Sequence, residues 1–152
     1  MNIDYNSLNR EIESLILDVP HFTANLANVS AALNLALEDV NWVGFYLMQN
    51  GKLVLGPFQG KPACIEIEVG KGVCGTAVEE NRSQLVPDVH KFPGHIACDS
   101  ASNSEIVIPI HQNDSIVGVL DIDSPKLNNF NKDDLLGLEK IVKTLEKHIF
   151  KE

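Results

Sequence analysis

A chain of 152 residues, 44% apolar and 22% charged, has the size and composition of one globular domain with its own core, and this excludes a fibre or a disordered chain. Asp and Glu outnumber Lys and Arg by 21 to 12, and the resulting net charge of −9 repels phosphate backbones and anionic membrane surfaces, so neither nucleic acid nor membrane is an expected partner. Met1 to Asn6 show no basic-then-apolar leader and no apolar run approaches the ~18 residues of a membrane span, which leads to the expectation of a cytoplasmic protein with reduced thiols.

In chain order, Leu8, Ile12, Leu15, Ile16 and Val19 recur at helical spacing, predicting a helix over 4–19 that Pro20 closes. A second helix over 22–38 carries Leu26, Val29, Leu33 and Leu37 on one face. From Asn41 to Gln49 the period changes to two. Val43, Phe45 and Leu47 point one way, and Trp42, Gly44, Tyr46 and Met48 the other. Asn50-Gly51 is a hairpin turn, with a returning strand over 52–58. Ile65, Ile67 and Val69 alternate with glutamates, as a strand with one wet face does.

The segment Gly70-Lys71-Gly72-Val73-Cys74-Gly75 leads into a short helix over 76–81, and Gln84 to Pro87 form a short strand. Two further strands, 106–111 and 116–122, are joined at Asn113-Asp114. Asp121 and Asp123, two apart, share a face. Asn131 is the expected N-cap of a last helix striped by Leu135, Leu138, Ile141 or Val142, Leu145 and Ile149. The order predicts a single α+β (mixed α/β) domain, 1–152, with about six antiparallel strands and the terminal helices packed together on one face.

The stretch from Asp88 to Glu105 has the Pro, Gly, Ser, Asn and Asp punctuation of a loop, together with Cys98, His90 and His95. Cys98 and Cys64 read either as a redox pair or as two small buried hydrophobes, and spacing alone leaves both open. Cys74 reads either as a thiol activated at a helix start or as a side chain buried in a tight glycine turn. The spacing of His90, His95 and Cys98 offers three zinc-ligand types without a zinc signature, and a Cys-His hydrolase dyad has as little support. Glu105, Asp121 and Asp123 are acids for proton donation or for an ammonium, or a solvated face. Trp42 and Tyr46 are pocket aromatics or plain core.

Read together, Gly56–Cys64 (G-P-F-Q-G-K-P-A-C), Gly70–Ala77 (G-K-G-V-C-G-T-A), the 88–105 stretch and Gly118–Pro125 (G-V-L-D-I-D-S-P) resemble the free methionine-(R)-sulfoxide reductases, small enzymes with the GAF fold. The likeness runs from about Asn41 to Phe130. The resemblance implies that Cys98 is the catalytic thiol, that Cys64 resolves it as a disulfide, and that Cys74 is a third redox cysteine of less settled role. It implies that Glu105, Asp121 and Asp123 hold and polarise the substrate and that Trp42 and Tyr46 wall the pocket. The expected substrate is free methionine-(R)-sulfoxide, with no bound cofactor or metal. The expected electron donor is thioredoxin, itself reduced with NADPH by thioredoxin reductase. A homodimer is compatible with the resemblance. The rival class is a GAF sensor that binds a small ligand, against which Asn131-Lys132 stands without the rest of the nucleotide-binding signature.

Overall fold

The computed structural model describes residues 1–94 and 101–151. The elements run α1 (Tyr5–Ile16), α2 (Phe22–Ala36), β1 (Trp42–Gln49), β2 (Lys52–Gln59), β3 (Glu66–Glu68), α3 (Gly72–Glu80), β4 (Gln84–Val86), β5 (Ser104–Gln112), β6 (Ser115–Ser124) and α4 (Lys132–His148). The six strands form one sheet in the order β3-β2-β1-β6-β5-β4, antiparallel at each pairing. Both hairpin signals hold: Asn50-Gly51 and Asn113-Asp114 each place two successive residues at positive φ, the backbone that two-residue hairpins require. No described helix is long and apolar enough to cross a membrane.

The sheet has a covered face on each side. Val43, Phe45, Ile106, Ile108, Leu120 and Ile122 point into a core closed by α1, α2 and α4. The α1–α4 contact is tight because Gly137 has no side chain: a Cβ there would stand 2.2 Å from the Tyr5 ring. The Tyr5 hydroxyl then reaches Asp134 Oδ1 at 2.7 Å, and Asn131 and Asp134 close a reciprocal capping box that starts α4. The opposite face carries Trp42, Tyr46, Leu53, Val107 and Val119 beneath α3.

Four expectations need correction. The first helix ends at Ile16 rather than Val19, because Asp18 takes a left-handed backbone (φ 59°). The third strand is three residues long; Ile67 is buried, but Ile65 is 73% exposed and outside it, so the alternation there marked one buried position. α3 begins at Gly72, which puts Cys74 inside its first turn. Finally, the 88–105 stretch is not one loop: Val89–Lys91 make a 3₁₀ turn capped by Asp88, and Ser104 and Glu105 already belong to β5. Pairing of Ser104 with Ser124 and Glu105 with Asp123 extends the ladder past the point where small polar residues suggested it would stop.

Candidate active site

The register places the three acids. Trp42, Asp123 and Glu105 form a row across β1, β6 and β5, and Asp121 lies one step along, opposite Gly44 and Val107. A Cβ at Gly44 would stand 2.2 Å from Phe58 Cβ, so glycine there admits the Phe58 side chain. Phe58 stacks on Trp42 at 5.0 Å, and Trp42 on Tyr46 at 5.8 Å. The result is a pocket with an aromatic wall from β1 and an acidic floor from β5 and β6. Pro62 and Ala63 of the segment after β2, Lys71 to Cys74 at the start of α3, and Ser102 complete it.

The floor is electrostatically unusual. Burial pushes the Glu105 carboxyl well above the ordinary carboxylate range, and the charges of Asp121 and Asp123 push the same way. Burial likewise raises Asp123, with Asp121 adding to it. Burial also raises Asp121, but Glu105, Asp123 and Cys74 act on it as hydrogen-bond donors and pull it back. Asp121 is therefore the acceptor at the centre of the cluster, and burial disfavours charge on all three carboxyls. Oδ1 of Asp121 and Oδ1 of Asp123 are shut away from solvent with no hydrogen-bond partner among the described residues. A buried acceptor left unpaired is costly, so these two oxygens are suited to a donor that arrives with a ligand.

Ser102 was not singled out in the sequence. Its hydroxyl accepts from Asn41 Nδ2 at 3.1 Å and donates to Asp123 Oδ2 at 3.3 Å, which orients that carboxyl and leaves the other oxygen to the pocket. Only its place among small polar residues hinted at it. Cys74 is 4% exposed and free, and burial pushes its thiol well up, followed by the charge of Asp121. Its burial agrees with the reading as a side chain enclosed in a glycine turn, while burial and then the acids work against the thiolate that a helix start would favour. Sulfur of Cys74 and an oxygen each of Glu105 and Asp121 lie within 4.8 Å of one another, a set of metal-ligating atom types that the spacing of the histidines did not suggest. His90 instead pairs with Asn103 Oδ1 at 2.9 Å. Cys64 sits half-buried just beyond the aromatic wall and is not a free thiol. Cys98 and His95 lie outside the described residues.

A family model for the GAF domain matches residues 28–147. The free methionine-R-sulfoxide reductase of Escherichia coli is 54% identical over 94% of this chain and 87% of its own length. The chain belongs to the free methionine-R-sulfoxide reductase family of GAF domains. Among solved structures, that of fRMsr of Staphylococcus aureus in complex with substrate superposes with a TM-score of 0.93 at 54% identity, over 98% of this chain and 97% of that one. The free methionine-R-sulfoxide reductase of Neisseria meningitidis, also in complex with its substrate, gives a TM-score of 0.93 at 44% identity, covering 96% and 88%. The GAF fold expected from the sequence, six antiparallel strands with four helices, is the one found.

Proposed function

We propose that this protein reduces free methionine-(R)-sulfoxide to methionine with its own thiols, and that thioredoxin returns it to the reduced state. The observation that carries this reading is the acidic floor under the aromatic wall: the buried Oδ1 of Asp121, without a partner among the described residues, beside Glu105 and Asp123, whose carboxyls burial pushes well above the ordinary carboxylate range. A free amino acid supplies an ammonium for the first, and a sulfoxide oxygen accepts a proton from the second. Relatives that carry this activity by name, and that have been solved with substrate, support it.

In this reading the methyl-sulfur end of the substrate lies against Trp42 and Tyr46. Its ammonium meets Asp121, and its carboxylate meets amide N–H groups at the start of α3 and in the small-residue segment after Cys98, where a helix dipole favours an anion. The Cys98 thiolate attacks the sulfoxide sulfur while Glu105 or Asp123 protonates the oxygen. Oxygen passes to Cys98, which becomes a sulfenic acid, and methionine leaves carrying the two electrons the thiol has lost. The Cys64 thiol then attacks the sulfenic sulfur. An S–S bond forms, the S–O bond breaks and water departs, so the electrons balance within the pair. That Cys64 is not free while Cys74 is supports Cys64 as the resolving partner. A dithiol such as thioredoxin, reduced at the expense of NADPH, reopens the disulfide.

The test is NADPH oxidation coupled through thioredoxin and its reductase, with each epimer of free methionine sulfoxide. The R epimer should turn over, the S epimer should be poor because its oxygen points away from the acids, and Cys98→Ser should be inactive. Turnover by Cys98→Ser, or equal rates with both epimers, would remove the mechanism.

A further inference from the structure

Among the described residues, the two aromatic residues of the pocket wall each make one side-chain hydrogen bond, and both bonds end on backbone carbonyls. Trp42 Nε1 donates to the carbonyl of Lys61 at 3.1 Å, and the Tyr46 hydroxyl donates to the carbonyl of Cys64 at 2.9 Å. Both acceptors lie on the short segment that leaves β2 and carries Cys64. The same segment is tied once more, where Leu55 N donates to the carbonyl of Ile65 at 2.9 Å. Its entry is fitted to the indole as well. Gly60 has a φ of 140° that side chains rarely adopt, and a Cβ there would stand 2.5 Å from Trp42 Cδ1. Three successive anchors thus fix the backbone of Cys64, and two of them are the polar tips of rings whose bodies line the substrate pocket.

A substrate wall needs only the faces of the rings; a phenylalanine at each position would serve as well. The indole N–H and the phenol O–H are committed to the backbone of the cysteine segment. We propose that Trp42 and Tyr46 are positioning residues for Cys64, holding its segment at the distance from which Cys64 closes the disulfide. This rests on the reading of Cys64 as the resolving thiol. The rings belong at once to the pocket and to the anchor of that segment, so the hydroxyl of Tyr46 acts mainly on the second chemical step, Cys64 attacking the sulfenic sulfur with loss of water, and less on the first.

The experiment is a single turnover without external reductant. Fully reduced protein is mixed with free methionine-(R)-sulfoxide, quenched at intervals, and assayed for methionine formed and for sulfenic acid trapped by a 1,3-dione. Tyr46→Phe removes one neutral hydrogen bond, worth on the order of 0.5–1.5 kcal/mol, so disulfide closure should slow by roughly twofold to tenfold more than methionine formation does. Trapped sulfenic acid per methionine should rise accordingly. Trp42→Phe, which keeps a ring and loses the N–H, should shift the same ratio in the same direction, and each variant serves if the other folds poorly. Equal slowing of both steps, or slowing of methionine formation alone, overturns the proposal. Wild-type protein provides the separate check: if it forms methionine but no disulfide through Cys64, the assignment of Cys64 as the resolving thiol fails before the anchors are judged.

Discussion

On the helix-covered face of the sheet, Ile106 and Ile122 lie side by side across β5 and β6 and are fully buried. One residue away on the same two strands, Glu105 and Asp123 lie side by side on the opposite face, Glu105 buried and Asp123 half-buried in the pocket. The strands and the register are alike; the chemistry is opposite. The apolar pair gains by leaving water, at roughly 25 cal/mol per Å² of apolar surface. The acidic pair is held against the same driving force, because burial favours its neutral form and Oδ1 of Asp123, without a partner among the described residues, loses hydration without replacement. The second face is apolar too beneath α3, where Leu53, Val107 and Val119 are buried, and it is at its pocket that the acids replace them. That part of the sheet is built for a ligand at a cost in stability.

The largest effect is expected on the helix-covered face. Ile122→Ala opens a cavity against α1, α2 and α4 and should cost about 2–5 kcal/mol of stability in denaturant unfolding, with kcat/KM of the folded fraction little changed. An equal loss of activity in the folded fraction would show that the two faces are not separable. On the site side, Asp123→Asn keeps the shape and the hydrogen bond from Ser102 but removes the acid. Its expected effects have opposite signs: kcat/KM falls by about 10²-fold, the weight of a proton donor, while Tm rises by about 2–4 °C as a strained acid becomes a neutral amide. A fall in Tm would mean that the carboxyl is a stabilising group.

The smallest effect is in the pH dependence of stability. Folded Glu105 and Asp123 have raised carboxyl pKa values, so between the ordinary carboxylate range and those raised values the folded state binds more protons than the unfolded one. Stability therefore declines as pH rises through that window, and the proton-donating form is depleted at its upper end. Replacing either acid by its amide should flatten the decline, which thermal unfolding at a series of pH values measures directly. A slope that persists unchanged in both amide variants assigns it to other groups.

The two-faced character of β6 was legible in the sequence, since apolar and acidic residues alternate there with period two. The aromatic side of β1 was legible for the same reason. Glu105 was recognised as an acid but placed in a loop, because Ser102, Asn103 and Ser104 carry no strand pattern. What makes strand of Ser104 and Glu105 is pairing with Ser124 and Asp123, a long-range fact. Cys74 shows a similar limit: its glycine neighbours marked a helix start, but Glu105, Asp121 and Asp123, which act on its thiol, lie on two strands far along the chain and converge on it only in the fold. The bonds from Trp42 and Tyr46 to the Cys64 segment end on backbone carbonyls, and a carbonyl leaves no trace in residue type.

The claim that the acidic floor exists for a free amino acid is tested most directly by kcat/KM for free and N-acetylated methionine-(R)-sulfoxide in one thioredoxin-coupled assay. Acetylation removes the ammonium and leaves the buried oxygens unpaired, at the loss of a charge-assisted hydrogen bond of about 1.5–3 kcal/mol, so the free compound should be preferred by at least roughly 10- to 150-fold. Equal values for the two compounds would contradict the account and would indicate a cleft that accepts oxidised methionine within peptides.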